Sequence, residues 1–197
     1  MIGLAIVFSP AESYIPPTPA FSTIRTDAGI ISAGTFNARL DAPQPPFAQL
    51  SDSTTQSCIS GSAKNVTLNT NDKIFHMTHS TTSRTNEIRV DEPGTYLVLA
   101  VPQVGEATVQ ADGTHDFWMM KNNAKVANSN IKTTVMLQAS GTETMTGTIN
   151  WVGSLNANDI ISFQQGCTDS DIGIIATAAG VAPATPSVIV SVVKMNW

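Results

Sequence analysis

Three histidines, two cysteines and a pair of close aspartates carry most of the reactive chemistry in this 197-residue sequence. His76 and His79 are three apart on an expected strand. Positions i and i+3 of a strand face opposite sides, so the two imidazoles cannot share a metal there. They read as ordinary surface or core histidines. His115 and Asp116 are adjacent and splayed for the same reason, and no G-x-S-x-G nucleophile signature occurs. Asp169-Ser170-Asp171 places two carboxylates two residues apart, a source of oxygen ligands for Ca²⁺; a solvated acidic turn is the plainer reading. Cys58 and Cys167 are far apart and neither belongs to a C-x-x-C pair. Two isolated thiols are the preferred reading and one long-range disulfide the alternative. Asn65-Val66-Thr67 is a formal glycosylation acceptor, meaningful only in a eukaryotic secretory protein. There is no phosphate-binding Gly-rich loop and no dinucleotide fingerprint. The expectation is a protein without an active site and without a cofactor.

The elements that position these residues are strands. Only 13% of the residues are charged and 42% are hydrophobic, while Thr, Ser and Asn number 24, 18 and 13. That composition excludes general disorder, which needs few apolar residues and many charges. It also disfavours a helical bundle, whose exposed faces want Glu, Lys and Arg. The net charge is −5, and no two of the ten Lys and Arg are adjacent. Binding to nucleic acid or to an acidic membrane through a basic patch is therefore not expected. The longest apolar runs, Met1–Phe8 and about 172–182, fall short of the roughly 18–20 residues of a membrane helix. Met1–Phe8 has no Lys or Arg before its apolar stretch and reads as something other than a signal peptide.

Proline divides the chain. Seven of eleven prolines fall in the first 50 residues, and no Lys precedes Lys64. Proline fixes φ and keeps its predecessor extended, so residues 1–60 are expected to form an extended, proline-rich arm. Its apolar start, Ile2, Leu4, Ile6 and Phe8, is the expected anchor. Residues 61–197 are expected to form the head. There, about ten short strands alternate with turns such as Asp91-Glu92-Pro93-Gly94 and Asn156-Ala157-Asn158. The fold class is all-β, an antiparallel sandwich of jelly-roll type. Two expected strands, Thr95–Val101 and Ser187–Val193, are apolar on both faces, and Phe117-Trp118-Met119-Met120 is apolar throughout. A sandwich buries one face of each strand, so a second apolar face wants a second cover, most commonly another subunit.

The order of motifs in the head resembles the tumour-necrosis-factor-like jelly roll, especially the globular heads of complement and their bacterial and viral relatives. Residues 86–100 resemble that family's strand, Pro-Gly turn and aromatic-containing strand. His115–Val126 resembles its apolar strand running into a Lys-Asn-Gly turn, with Asn123 where glycine is usual. Leu155–Phe163 resembles its Leu-x-x-Gly-Asp-x-Val strand entry, with Asn158 in place of glycine. The resemblance covers about residues 64–197. It implies a homotrimer whose contacts are expected at Tyr96, Val98, Trp118, Val188, Val190 and Val192. It also lends some support to calcium near Asp169 and Asp171.

A trimeric head with a reaching arm, low charge and no leader fits a virion structural protein. The expected role is a capsid decoration, cement or minor capsid protein of a bacteriophage, assembled in the host cytoplasm onto the major capsid protein. The alternatives are the receptor-binding tip of a tail fibre or spike and a secreted complement-type binding head.

Overall fold

The alternating and continuous apolar runs become strands. A computed structural model describes residues 23–26, 29–32, 44–107, 112–136 and 144–195. Among them there is no helix, so none long and apolar enough to cross a membrane. The chain divides into two units, Met1–Gln44 and Pro45–Trp197. In the first, β1 (Thr23–Thr26) and β2 (Gly29–Ser32) form an antiparallel hairpin with Thr23 opposite Ser32. Ile2, Leu4, Ile6 and Phe8 lie outside the described residues.

The second unit begins 16 residues earlier than the expected boundary at residue 61, because β3 (Phe47–Asp52) belongs to the head. Ala48 and Leu50 of this strand are buried in the core. Gln44-Pro45-Pro46 is thus the approach to a strand, not the middle of an arm. The strands that follow are β4 (Gln56–Ser57), β5 (Lys64–Asn65), β6 (Thr70–Phe75), β7 (Met77–His79), β8 (Ile88–Val90) and β9 (Gly94–Glu106). Then come β10 (Gly113–Lys121), β11 (Ala124–Lys125), β12 (Ile131–Val135), β13 (Thr144–Thr146), β14 (Ile149–Leu155), β15 (Ile160–Cys167), β16 (Ile172–Ile174) and β17 (Val188–Lys194).

Two antiparallel sheets face each other. One carries β14, β9, β17, β3 and β6 side by side, with β13 and β16 along the far end of the long strand β9 and β4 beyond β16. The other carries β12, β10, β15, β8 and β7, with β5 and β11 at its edges. The chain crosses between sheets from β4 to β5, β5 to β6, β6 to β7, β8 to β9, β9 to β10, β12 to β13, β14 to β15 and β15 to β16. That order is a jelly roll, as the spacing of strands and turns led us to expect.

Local chemistry explains the breaks. His76, at φ 50°, divides the single strand expected to hold it and His79 into β6 and β7 and sends the halves to different sheets. Asn122, Asn123 and Asn158 sit at φ 49°, 65° and 69° in tight turns. Asparagine tolerates this left-handed region better than most residues, so it serves where glycine is usual. Between the sheets lies one core cluster that includes Leu50, Tyr96, Val98, Phe117, Phe163, Val190 and Val192. Phe117 and Phe163 stack with centroids 5.5 Å apart. Each large apolar side chain so buried contributes about 1.5–3 kcal/mol. Tyr96 keeps its polar end satisfied by donating to the Glu92 carbonyl at 2.7 Å. Burial, then the charges of Glu92 and Asp91, push its hydroxyl pKa up to about 12.

Candidate functional site

The six residues expected at a trimer contact do not share a surface. Tyr96, Val98, Val188, Val190 and Val192 are 0% exposed and fill the sandwich core. Trp118 is half-buried on the outer face of the opposite sheet. The correction is one of parity. β9 and β17 are apolar on both faces, so their own residue types do not say which face turns inward. Their neighbour β3 does. Its polar Gln49 and Ser51 face outward and stand opposite Ser191 and Ile189 of β17. Inward go Ala48 and Leu50, with Val192 and Val190 opposite them. Ser191, the one polar residue inside the apolar run of β17, lies on the outward face that β3 sets.

The outward residues of the same strands do form a surface. Leu97, Leu99 and Val101 of β9 stand beside Val193, Ser191 and Ile189 of β17. Leu97 has Val152 of β14 on its other side, and Val193 has Phe47 of β3. Phe47 stacks on Phe75, with centroids 6.1 Å apart. Val101, Val152 and Ile189 are openly exposed, Val152 at 54%. This is a largely apolar sheet face, interrupted where Ser191 and Asn150 flank Leu99, and no Asp, Glu, Lys or Arg lies among those positions.

The second surface lies on the other side of the sandwich. Thr114, Asp116, Trp118 and Met120 alternate along the outer face of β10, while His115, Phe117 and Met119 point into the core. Asp116 accepts a hydrogen bond from Asn130 at 2.7 Å and lies 3.4 Å from the Lys132 ammonium. The Trp118 indole donates to Met120 Sδ at 3.2 Å, and the Lys125 ammonium lies 5.2 Å from its ring centre. These groups line an open groove of about 550 Å³.

Cys58 and Cys167 are joined in a disulfide, with Cα atoms 6.2 Å apart. The preferred reading of two isolated thiols is thereby corrected. Fold alone brings together residues 109 apart in sequence: Cys167 ends β15, and the segment after β4 runs alongside it, with Gly61 N–H donating to the Cys167 carbonyl at 3.0 Å.

The other reactive residues are separate and engaged locally. His76 Nδ1 lies 2.6 Å from Glu92 Oε1, and His79 Nδ1 lies 2.6 Å from Asn71 Oδ1. Asp169 Oδ1 accepts the Asp171 N–H at 2.9 Å, closing a turn. Among the described residues no three His, Cys, Asp or Glu converge as a metal site. Asn65 Oδ1 accepts from Gln164 at 2.9 Å on the edge of the second sheet. Asp159 is tied to Lys121 at 2.8 Å. Burial alone would raise its pKa; the bonds from Lys121, the Asn156 N–H and the Asn122 amide outweigh that and hold it below the usual carboxylate range.

A buried polar chain escaped the sequence reading. His115 Nε2 meets Gln165 Oε1 at 2.9 Å, Gln165 donates to the Gln56 carbonyl at 3.0 Å, and Gln56 pairs twice with the Thr67 backbone. It links the two sheets. His115 is 0% exposed and its Nδ1 has no partner among the described residues. Burial lowers its pKa below 6.5, against the opposing pull of the Gln165 bond and Asp116. The folded state therefore resists a proton that the unfolded chain takes up near pH 6.5. The resulting stability is present above about pH 6.5 and is lost as pH falls through that value toward the folded pKa. The melting temperature should fall between about pH 7.5 and pH 5.5, and His115→Gln should flatten that slope. An unchanged slope in the variant would show that His115 is not the group responsible.

No family model and no curated protein matches this chain. Among solved structures it is similar to the globular domain of zebrafish complement 1qA, at 12% identity and a TM-score of 0.48, over 78% of this chain and 98% of that one. It is likewise similar to murine APRIL, at 12% identity and a TM-score of 0.47, over 77% of this chain and 100% of that one.

Proposed function

We propose that the chain is a non-catalytic, self-associating head of a virion surface, most simply a decoration or minor capsid protein. The observation that carries this reading is the outward apolar face built from Leu97, Leu99, Val101, Val152, Ile189 and Val193. An outward sheet face with several exposed large apolar side chains is the mark of an interface. A stable contact covers roughly 800 Å² on each partner, so copies that meet here also cover the polar positions around these six. Three copies is the number implied by the resemblance of residues 64–197 to the tumour-necrosis-factor-like jelly roll. The opposite sheet, with its polar groove, stays outward in such an assembly. The Cys58–Cys167 bond suits a protein that ends outside a reducing cytoplasm. Attachment to a shell is the role this reading gives to the proline-rich first unit.

The test has two steps. Sedimentation of the purified chain should give three times its 20.8 kDa mass, resistant to dilution. Capsids lacking the protein should then bind it saturably, at low and at high salt alike, because an apolar contact is little screened. A monomer at micromolar concentration removes the self-association. Binding to cells but not to capsids moves the assignment to a fibre tip.

A further inference from the structure

We infer that the groove over β10 is a saccharide-binding site, with a preference for sugars that carry a carboxylate. The inference goes beyond the structural role above and does not depend on the number of subunits, since the groove lies on the sheet opposite the apolar face.

The floor of the groove is the centre of a sheet, not an edge. β10 is laddered to β15 on one side and to β12 and β11 on the other. Its main chain is therefore spent, and a peptide cannot add as a further strand. What the floor offers is side chains: one half-buried indole among carboxylate, amide and hydroxyl groups. Trp118 has its N–H turned onto Met120, and the outer edge of its six-membered ring rests by Gly166. A Cβ at Gly166 would stand 3.5 Å from two indole carbons, ordinary van der Waals contact, so the indole edge lies directly beside this glycine. A pyranose has a C–H face that suits such a platform and a rim of hydroxyls that needs planar polar partners. Asp116 and Asn130, already 2.7 Å apart, present an acceptor and an amide beside the ring. A few placed polar groups around an apolar surface are what orient a small ligand.

Charge sets the preference. The chain carries −5 overall, yet the groove has two lysines, Lys125 and Lys132, against one carboxylate, Asp116. Lys125 lies over the indole on a long exposed stem. A sugar ring would move it aside to where it pairs with the ligand's own carboxylate. A nucleic acid fits less well, because the rest of the chain repels a run of phosphates.

The test is calorimetric titration of the full chain with trigalacturonate and with galactotriose, its neutral counterpart. The acidic sugar should bind saturably and more tightly than the neutral one. Trp118→Ala should weaken binding at least about tenfold, and Trp118→Phe, which keeps a smaller platform, should fall between. Lys125→Met with Lys132→Met should abolish the preference for the acidic sugar. Sedimentation and melting of each variant should match the parent, which separates this site from the subunit contact. Failure of both sugars to bind, or equal binding by Trp118→Ala and Trp118→Phe and the parent, overturns the inference.

Discussion

Val190→Asp should leave no folded head, whereas Val193→Asp, three residues along the same strand, should fold and lose only self-association. Val190 is 0% exposed and stands between Leu50 on one neighbouring strand and Ala100 on the other. A carboxylate there has no partner and no water. Burying it costs several kcal/mol, or forces it to take up a proton. A domain of this kind has only about 5–15 kcal/mol in hand. Val193 faces outward, beside Leu97 and Phe47, where a carboxylate stays hydrated in the isolated subunit. In an assembly that covers this face it becomes a buried charge, repeated in each copy, and should weaken association at least about a hundredfold. Circular dichroism reports the first effect and sedimentation the second. A folded, associating Val190→Asp protein would falsify the assignment of faces. A Val193→Asp protein that still sediments as the parent does would show that this sheet face is not the contact.

Reduction of the Cys58–Cys167 bond should lower the melting temperature by about 6–12 °C, from a loss of about 3 kcal/mol spread over a unit of this size. The bond spans 109 residues of sequence. In the chain-entropy account, a loop of that length in the unfolded chain makes the cross-link worth up to about 4–5 kcal/mol. The native geometry around it is already supported, since Cys58 N–H donates to the Ile172 carbonyl at 3.0 Å. Cys58→Ala with Cys167→Ala should reproduce the reduced melting curve and show no further response to reductant. The parent melting unchanged in reductant, with both thiols proven free by alkylation, would mean that the bond adds nothing to stability. Because Cys167 ends β15 next to Gly166, reduction should also loosen the groove rim at Gly61 and Ser62, which hydrogen exchange would detect.

The strands and turns of the head were legible in the sequence because they depend on near neighbours. The apolar runs of β9 and β17 and the Asp91–Gly94 turn set backbone conformation locally. Asn122, Asn123 and Asn158 mark left-handed turns for the same local reason. The jelly-roll order follows from many short strands at even spacing. Trp118 stood out as an apolar residue needing a second cover, and it does lie on an outer face, though on the sheet opposite the expected contact. What the sequence left open was everything that depends on register between distant strands. Whether Val190 or Ile189 turns inward is decided by pairing with Leu50 and Ser51, some 140 residues earlier. Phe47–Asp52 joins the head because β17 and β6 supply hydrogen bonds on both its sides, although the prolines just before it resemble an arm. Cys58 meets Cys167, and His115 reaches Gln165 and through it Gln56, for the same reason. Side-chain period is a property of a strand alone; the face it buries, and the partner it meets there, are properties of the sheet it joins.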